Sequence, residues 1–340
     1  MVLKGLSEAA GVAGDEKDVR NLILDRICDL ARTEIDALGN LIAFKGKGTG
    51  KPRVMLAAHM DEVGLILSRV ERNGLLRFKK VGGIDDRILP SQPVRVGPGK
   101  VPGVIGAGPV HLQKPEAQRA VFKTEDLYVD IGARTREEAE QVIKLGDYIS
   151  FVTAYQEFGD GLARGKAFDD RVGCTALMEI LEKDYDFPVY AVFTVQEEVG
   201  LRGAGTAAFR INPDLALVVE ATTCADTPET EEHGEATRLG QGPAVSLMDA
   251  TSIADRRIVR HLVELADKNG IPIQYRRATA GGNDSGRIHL TRTGVPTASL
   301  SVPCRYLHSP VCVISLRDLE YTIQLLGLFL DSIQKGGFRL

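Results

Sequence analysis

Side chains able to bind a metal or move a proton recur where this chain's apolar runs stop. His59 and Asp61 follow the run 53–58, Glu197 and Glu198 follow 189–195, Glu220 closes "LALVVE", and His308 comes after "ASLSVPCRY". Asp169 and Asp170 in "GKAFDDRVG" stand just before a segment that reads as helix. In open α/β sheets ligands bind beyond the carboxyl ends of the strands, so residues at those ends are the first candidates for a site.

The donor types point to two metal ions rather than one. A single ion has no use for so many carboxylates. Two ions sharing one bridging Asp, with His59 and Glu220 on one and His308 and Glu198 on the other, give a nearly neutral shell that leaves room for a water. Glu197 is then free. Neighbouring side chains diverge at a strand end, so Glu198 can ligate while Glu197 faces the substrate side and takes a proton from the attacking water. Asp61, two residues beyond His59, is placed to hold the second imidazole nitrogen. Each pattern alone has a plainer reading: a solvated acidic loop, a structural histidine, a helix cap. Their recurrence at successive strand ends favours a site.

The elements that must position these residues follow from periodicity. Val19, Leu22, Ile23, Ile27, Leu30 and Ile35 predict an amphipathic helix over 16–37. Strands are expected at 40–45 and 53–58. From about Leu65 to Phe158 the chain is rich in Val, Ile, Gly and Pro, with turn signals such as "ERNG" and "VGPGKVPG", which predicts an all-β insertion with one helical piece near "TREEAEQVIKLG". Thereafter helices are expected at 171–182, 203–209, 253–269 and 316–334, and strands at 189–195, 215–220, 271–276 and "TGVPTASLSVP". Strands separated by helices mean a mixed, mainly parallel sheet sandwiched by helices.

Composition sets outer bounds. The chain has 340 residues, 44% hydrophobic and 26% charged, which is the profile of a globular protein long enough for two domains. Lys plus Arg number 42 against 46 Asp plus Glu, a formal net charge of −4, with no basic face interleaved with aromatics. Nucleic acid and anionic membrane are therefore not expected partners. The N-terminal stretch turns charged quickly and lacks a long apolar run, so a cytoplasmic location is expected. Five scattered cysteines without a CxxC pair are expected to be reduced thiols.

"AHMDEVG", "GKAFDDRVG", "VQEEVGLRGA", "VVEATTCADTP" and "GGNDSGRIHLTRTGVPTASLSVPCRYLHSP" resemble, in order, the motifs of the dinuclear metallo-aminopeptidases related to glutamyl aminopeptidase. Some of these assemble as tetrahedral (TET) dodecamers, and some have been labelled endoglucanases. The resemblance implies a zinc-peptidase-like α/β catalytic domain formed by 1–66 and 160–340, with 67–159 as an inserted β-barrel lid or dimerisation domain. It implies Asp169 as the bridging ligand, joined to Asp170 by a cis peptide, with His59 and Glu220 completing one metal and Glu198 and His308 the other. Glu197 would be the general base, and Asp61 would orient His59. Imidazole and carboxylate donors suit Zn, Co or Mn.

The expected function is a metal-dependent aminopeptidase acting on peptides with a free N-terminus, built as a homo-oligomer of dimers forming a dodecamer around an enclosed chamber. Two departures from the pattern stand out: Glu220, where Asp is common, and Asn283, where Thr is common. A two-metal amide hydrolase or deacylase is the alternative, and a non-catalytic structural or peptide-binding subunit a more distant one. A glycosidase needs two carboxyls flanking a sugar bond and no metal-binding histidines. A phosphatase-like site lacks a phosphate cradle.

Overall fold

In the computed structural model, which describes residues 2–47, 52–109, 111, 120–228, 230 and 234–338, the first helix after the N-terminal Val2–Glu8 turns is shorter than its spacing predicts. It runs Lys17–Ile27 and buries Val19, Ile23 and Ile27, one residue per turn. The expected continuation to residue 37 is wrong. Arg32–Ile35 forms β1, antiparallel to β2 (Leu41–Lys45), with Ile35 opposite Leu41. A sheet edge offering a ladder outweighs a helical spacing carried by only two more apolar residues.

After β3 (Val54–His59) the chain leaves the main sheet. β4 (Gly64–Val70), β5 (Leu76–Val81), β6 (Pro93–Val96), β7 (Val101–Gly106), β8 (Tyr128–Asp130) and β9 (Tyr148–Phe151) close into a barrel in the order β4-β5-β8-β7-β6-β9. Closure leaves no free edge on this unit. Leu65, Leu76, Val96, Val129 and Ile149 fill a core of its own. The expected helical piece is a short helix, Arg136–Glu140, N-capped by Thr135.

The chain rejoins the main sheet with β10 (Gln156–Phe158) and β11 (Leu162–Gly165), continues through β12 (Val189–Thr194), β13 (Leu215–Thr223), β14 (Ala244–Ser246) and β15 (Gln274–Arg276), and ends with β16 (Thr297–Arg305) and β17 (Cys312–Ser315). The main path runs β1-β2-β12-β3-β13-β16-β17-β11-β10, with β14 attached to β16 and β15 to β14. The central strands β12, β3, β13 and β16 are parallel to one another, and the flanks are antiparallel.

Helices Phe168–Ile180, Arg202–Ile211, Arg256–Asn269 and Leu316–Gln334 accompany this sheet. The third starts three residues later than the spacing predicts because Asp255 caps it, accepting the Arg257 N–H. Four of the five cysteines are buried, and all are free thiols. Among the described residues no helix is long and apolar enough to cross a membrane.

One buried ion cluster ties these parts together beside the site. Glu62 lies 2.6 Å from Lys166 Nζ and 3.5 Å from Arg171 Nη2, with all three side chains nearly inaccessible. Lys166 also donates to the Ala9 carbonyl, Arg171 to the Leu6 carbonyl, and the Gly11 N–H to Glu62. The N-terminal segment, the entry to the barrel and the Phe168–Ile180 helix are thereby locked to one another. Buried charge is tolerated only when it is paired, and here the carboxylate of Glu62 meets both cations, although Arg171 Nε has no acceptor.

Candidate metal centre

Register brings the candidate residues level. Thr194 of β12 pairs with His59, and Val218 of β13 pairs with Ala57, so Glu220 stands level with His59 one step further along the parallel sheet. The strand ends face a cavity of about 540 Å³ whose lining includes His59, Asp169, Glu197, Glu220 and His308.

Asp169 is central. Its Oδ1 lies 3.2 Å from His59 Nε2 and its Oδ2 3.4 Å from His308 Nε2. His308 Nε2 is also 3.2 Å from Glu198 Oε2. Ligand atoms of His59, Asp169 and Glu198 all lie within 4.8 Å of one another. Donors held tetrahedrally at about 2.0–2.2 Å from an ion sit about 3.3–3.6 Å apart, so the observed spacings fit a shared carboxylate with an imidazole on each side.

Glu220 stands outside that tight group but in the same cavity wall. Its Oε1 accepts from Asn283 Nδ2 at 2.9 Å and from Ser301 Oγ at 3.3 Å, which leaves Oε2 as the oxygen without a side-chain donor. Asn283 in turn donates to Asp249 at 3.3 Å and accepts the Ser285 N–H, so its amide orientation is fixed from both sides.

Asp61 does more than hold a histidine. Its carboxylate is 3.5 Å from His59 Nδ1, while the nearer partner of that nitrogen, at 3.1 Å, is the Asp61 carbonyl. Oδ1 and Oδ2 each accept a backbone N–H, from Glu197 and Glu198 respectively, at 3.0 Å. Asp170 supports the same loop from the other side, accepting the His59 N–H at 3.1 Å and the Gly173 N–H at 2.8 Å. The Asp169–Asp170 peptide is cis, and Ala167, Gln196 and His308 have left-handed backbone (φ 54, 56 and 56). Left-handed non-glycine residues persist where surrounding contacts over-determine the chain, here two residues before Asp169, next to Glu197 and at His308 itself.

Burial and mutual charge displace the titration of the groups that line this cluster. Burial opposes ionisation of Asp169, yet hydrogen bonds from His308 and His59 keep its carboxyl well below the usual range. Burial pushes Glu198 and Glu220 each up to about 8, and Glu197 well above its ordinary value. Burial alone would lower both imidazoles, but the carboxylates around them prevail: Glu197, Asp169 and Asp61 raise His59, and Asp169 and Glu198 raise His308 to about 9. Such a cluster of perturbed groups in one cleft marks a functional site, and its donors, imidazole nitrogen and carboxylate oxygen, are those that divalent ions take.

Sequence reasoning did not foresee several residues. Thr194 Oγ donates at 2.5 Å to Asp284, which is buried close enough to Glu197 to raise its pKa further. Asp284 is adjacent to Asn283 in "GGND" and was legible only as part of a glycine-rich loop. Arg276, which lines the cavity, sits in a predicted strand with no motif around it.

A family model described as M42 glutamyl aminopeptidase matches residues 39–325. A putative aminopeptidase of Acetivibrio thermocellus is 40% identical over 333 residues, covering 96% of each chain. Among solved structures, a TET aminopeptidase from a marine sediment archaeon of the Thaumarchaeota superposes with a TM-score of 0.93 at 35% identity, covering 97% of this chain and 94% of that one. The TET1 peptidase of Pyrococcus horikoshii, which can assemble into a tetrahedron or a large octahedral shell, superposes at 0.87 with 37% identity over 97% and 98%.

Proposed function

The chain belongs to the M42 glutamyl aminopeptidase family, and from that premise we propose that it removes the N-terminal residue of peptides at a centre of two divalent ions. The observation that carries this reading is the position of Asp169, with one carboxylate oxygen toward each imidazole. His59 and Glu220 would hold one ion, Glu198 and His308 the other, and Asp169 both, with Zn, Co or Mn as the candidates. When bound, such a pair polarises the scissile carbonyl and makes water a nucleophile at neutral pH.

The remaining work falls to the chain's own groups. Glu197 accepts the proton of the attacking water and returns it to the leaving amine. Asp61 sets the direction of both Glu197 and Glu198 through their N–H groups and restrains His59.

The barrel, whose strands run from Gly64 to Phe151 and so largely coincide with the insertion expected at 67–159, acts as a lid and dimerisation domain for a homo-oligomer in the manner of the TET relatives, up to a dodecamer, and the enzyme works in the cytoplasm. Deleting 67–159 should break assembly before chemistry, as read by light scattering.

The test is a panel of free and N-acetylated peptides given to protein stripped by chelator and resupplied with Zn, Co or Mn singly, with products read by mass spectrometry. Stepwise loss of N-terminal residues, only from free amines and only with metal restored, is the expected result. Cleavage of acylated amino acids or other amides instead of peptides would move the assignment to a deacylase on the same centre.

A further inference from the structure

The cavity that holds the metal-site residues also carries a fixed cation for which the mechanism has no use. Arg276 ends β15, with its backbone held in register with Ser246 of β14, and it lines the same cavity as Glu220, near enough to lower that carboxyl's pKa. It is the only Lys or Arg among the described lining residues. The loop that follows folds back so that Nη2 donates to the Ala280 carbonyl at 2.6 Å. Gly281, whose φ of +77 suits glycine, turns the chain, and its carbonyl accepts the Ala250 N–H at 2.8 Å.

The guanidinium is therefore aimed, yet it is not satisfied. Nε is buried with no acceptor, and no carboxylate among the described residues lies in ion-pair range. A partly buried arginine left without a counter-charge costs free energy unless something it binds supplies one.

We propose that Arg276 is a specificity-determining residue that anchors a carboxylate of the substrate. This rests on the reading of the site as a peptidase centre. With the acidic ligands neutralised by bound cations, Arg276 is the one Lys or Arg among the described lining residues, and its planar donors match a carboxylate better than any other peptide group. The carboxylate has two possible sources: an acidic side chain on the first residue, or the free C-terminus of a short peptide. The cavity lining includes the small or polar residues Thr222, Thr223, Thr227, Ala280 and Gly281 as well as Tyr306 and Leu307, so either can approach.

Metal-loaded enzyme is assayed on two matched pairs. The first compares C-terminally amidated tripeptides beginning with Glu or Gln; the second compares Leu-first dipeptides as free acid or amide. In the wild type one of the two kcat/KM ratios should favour the carboxylate form by about tenfold or more. That ratio should collapse toward one in Arg276→Met and be partly restored in Arg276→Lys. A shift in the Glu-to-Gln ratio assigns the anchor to the first side chain, and a shift in the acid-to-amide ratio assigns it to the C-terminus.

Peptides cleaved with both ratios near one, or with ratios that Arg276→Met leaves unchanged, overturn the anchor while the peptidase reading stands. Equal losses on every substrate together with lost metal content would make Arg276 a support for Glu220 and likewise overturn it. No peptide cleavage under any metal overturns both.

Discussion

The Asp61 carboxylate accepts the backbone N–H of Glu197 at 3.0 Å through Oδ1, while Oδ2 does the same for Glu198. A single side chain thus fixes the backbone of two adjacent glutamates to which the proposed mechanism gives different roles, and it lies 3.5 Å from His59 Nδ1 as well. Asp61→Asn keeps the shape but turns one of these acceptors into a donor facing an N–H. It should lower metal affinity or turnover by about 10–100-fold, with the far-UV circular dichroism unchanged. Full activity in that variant would reduce Asp61 to a structural residue.

Glu197→Gln separates ligation from proton transfer. The variant should retain wild-type metal content, because Asp169, Glu198, Glu220 and the two histidines are untouched, and lose about 10²–10⁴ in kcat. Metal analysis and steady-state kinetics on one preparation check both halves. Near-normal hydrolysis would remove Glu197 as the base.

Among the described residues Asn283 is the only amide donor to Glu220, and it is itself held by Asp249 and Ser285. The two departures from the family pattern, Glu220 and Asn283, are therefore in contact. Asn283→Ala should free the longer glutamate arm and weaken one metal by about tenfold or more. In a metal titration by calorimetry one of two binding steps should shift and the other stay.

The pH dependence of loading has a definite sign. From the ordinary glutamate value near 4.5 up to about 8, buried Glu198 and Glu220 keep protons that the unfolded chain has lost. The stability of the metal-free protein therefore falls as pH rises through that window. His308, raised to about 9, acts in the same direction: its stabilising charge is present below the ordinary imidazole range and lost as pH climbs toward 9. A bound divalent ion takes the place of these protons. The gain in melting temperature on adding metal should be larger at about pH 8 than at about pH 6, and calorimetry should record proton release. An equal gain at both values would mean that the ligands are already deprotonated.

The candidate site was legible one strand end at a time. Apolar runs at 54–58, 189–195 and 215–219 stop at or beside His59, Glu197, Glu198 and Glu220, because a buried strand is apolar until it meets the cavity, and the change of polarity is a local signal. The closing helix and the β-rich insertion were readable for the same reason. The structure alone decided what required contact between distant segments. His59 meets Asp169 across 110 positions, and Arg32–Ile35 abandons a helical spacing for a sheet edge that only β2 creates. Short strands of three or four residues such as β10, β11, β14 and β17 carry too few positions to show a period. The double amide contact of Asp61, the hold of Asn283 on Glu220 and the arrival of Arg276 in the wall have no signature in sequence, since each is set by where the parallel register leaves neighbouring loops rather than by any residue's own propensity.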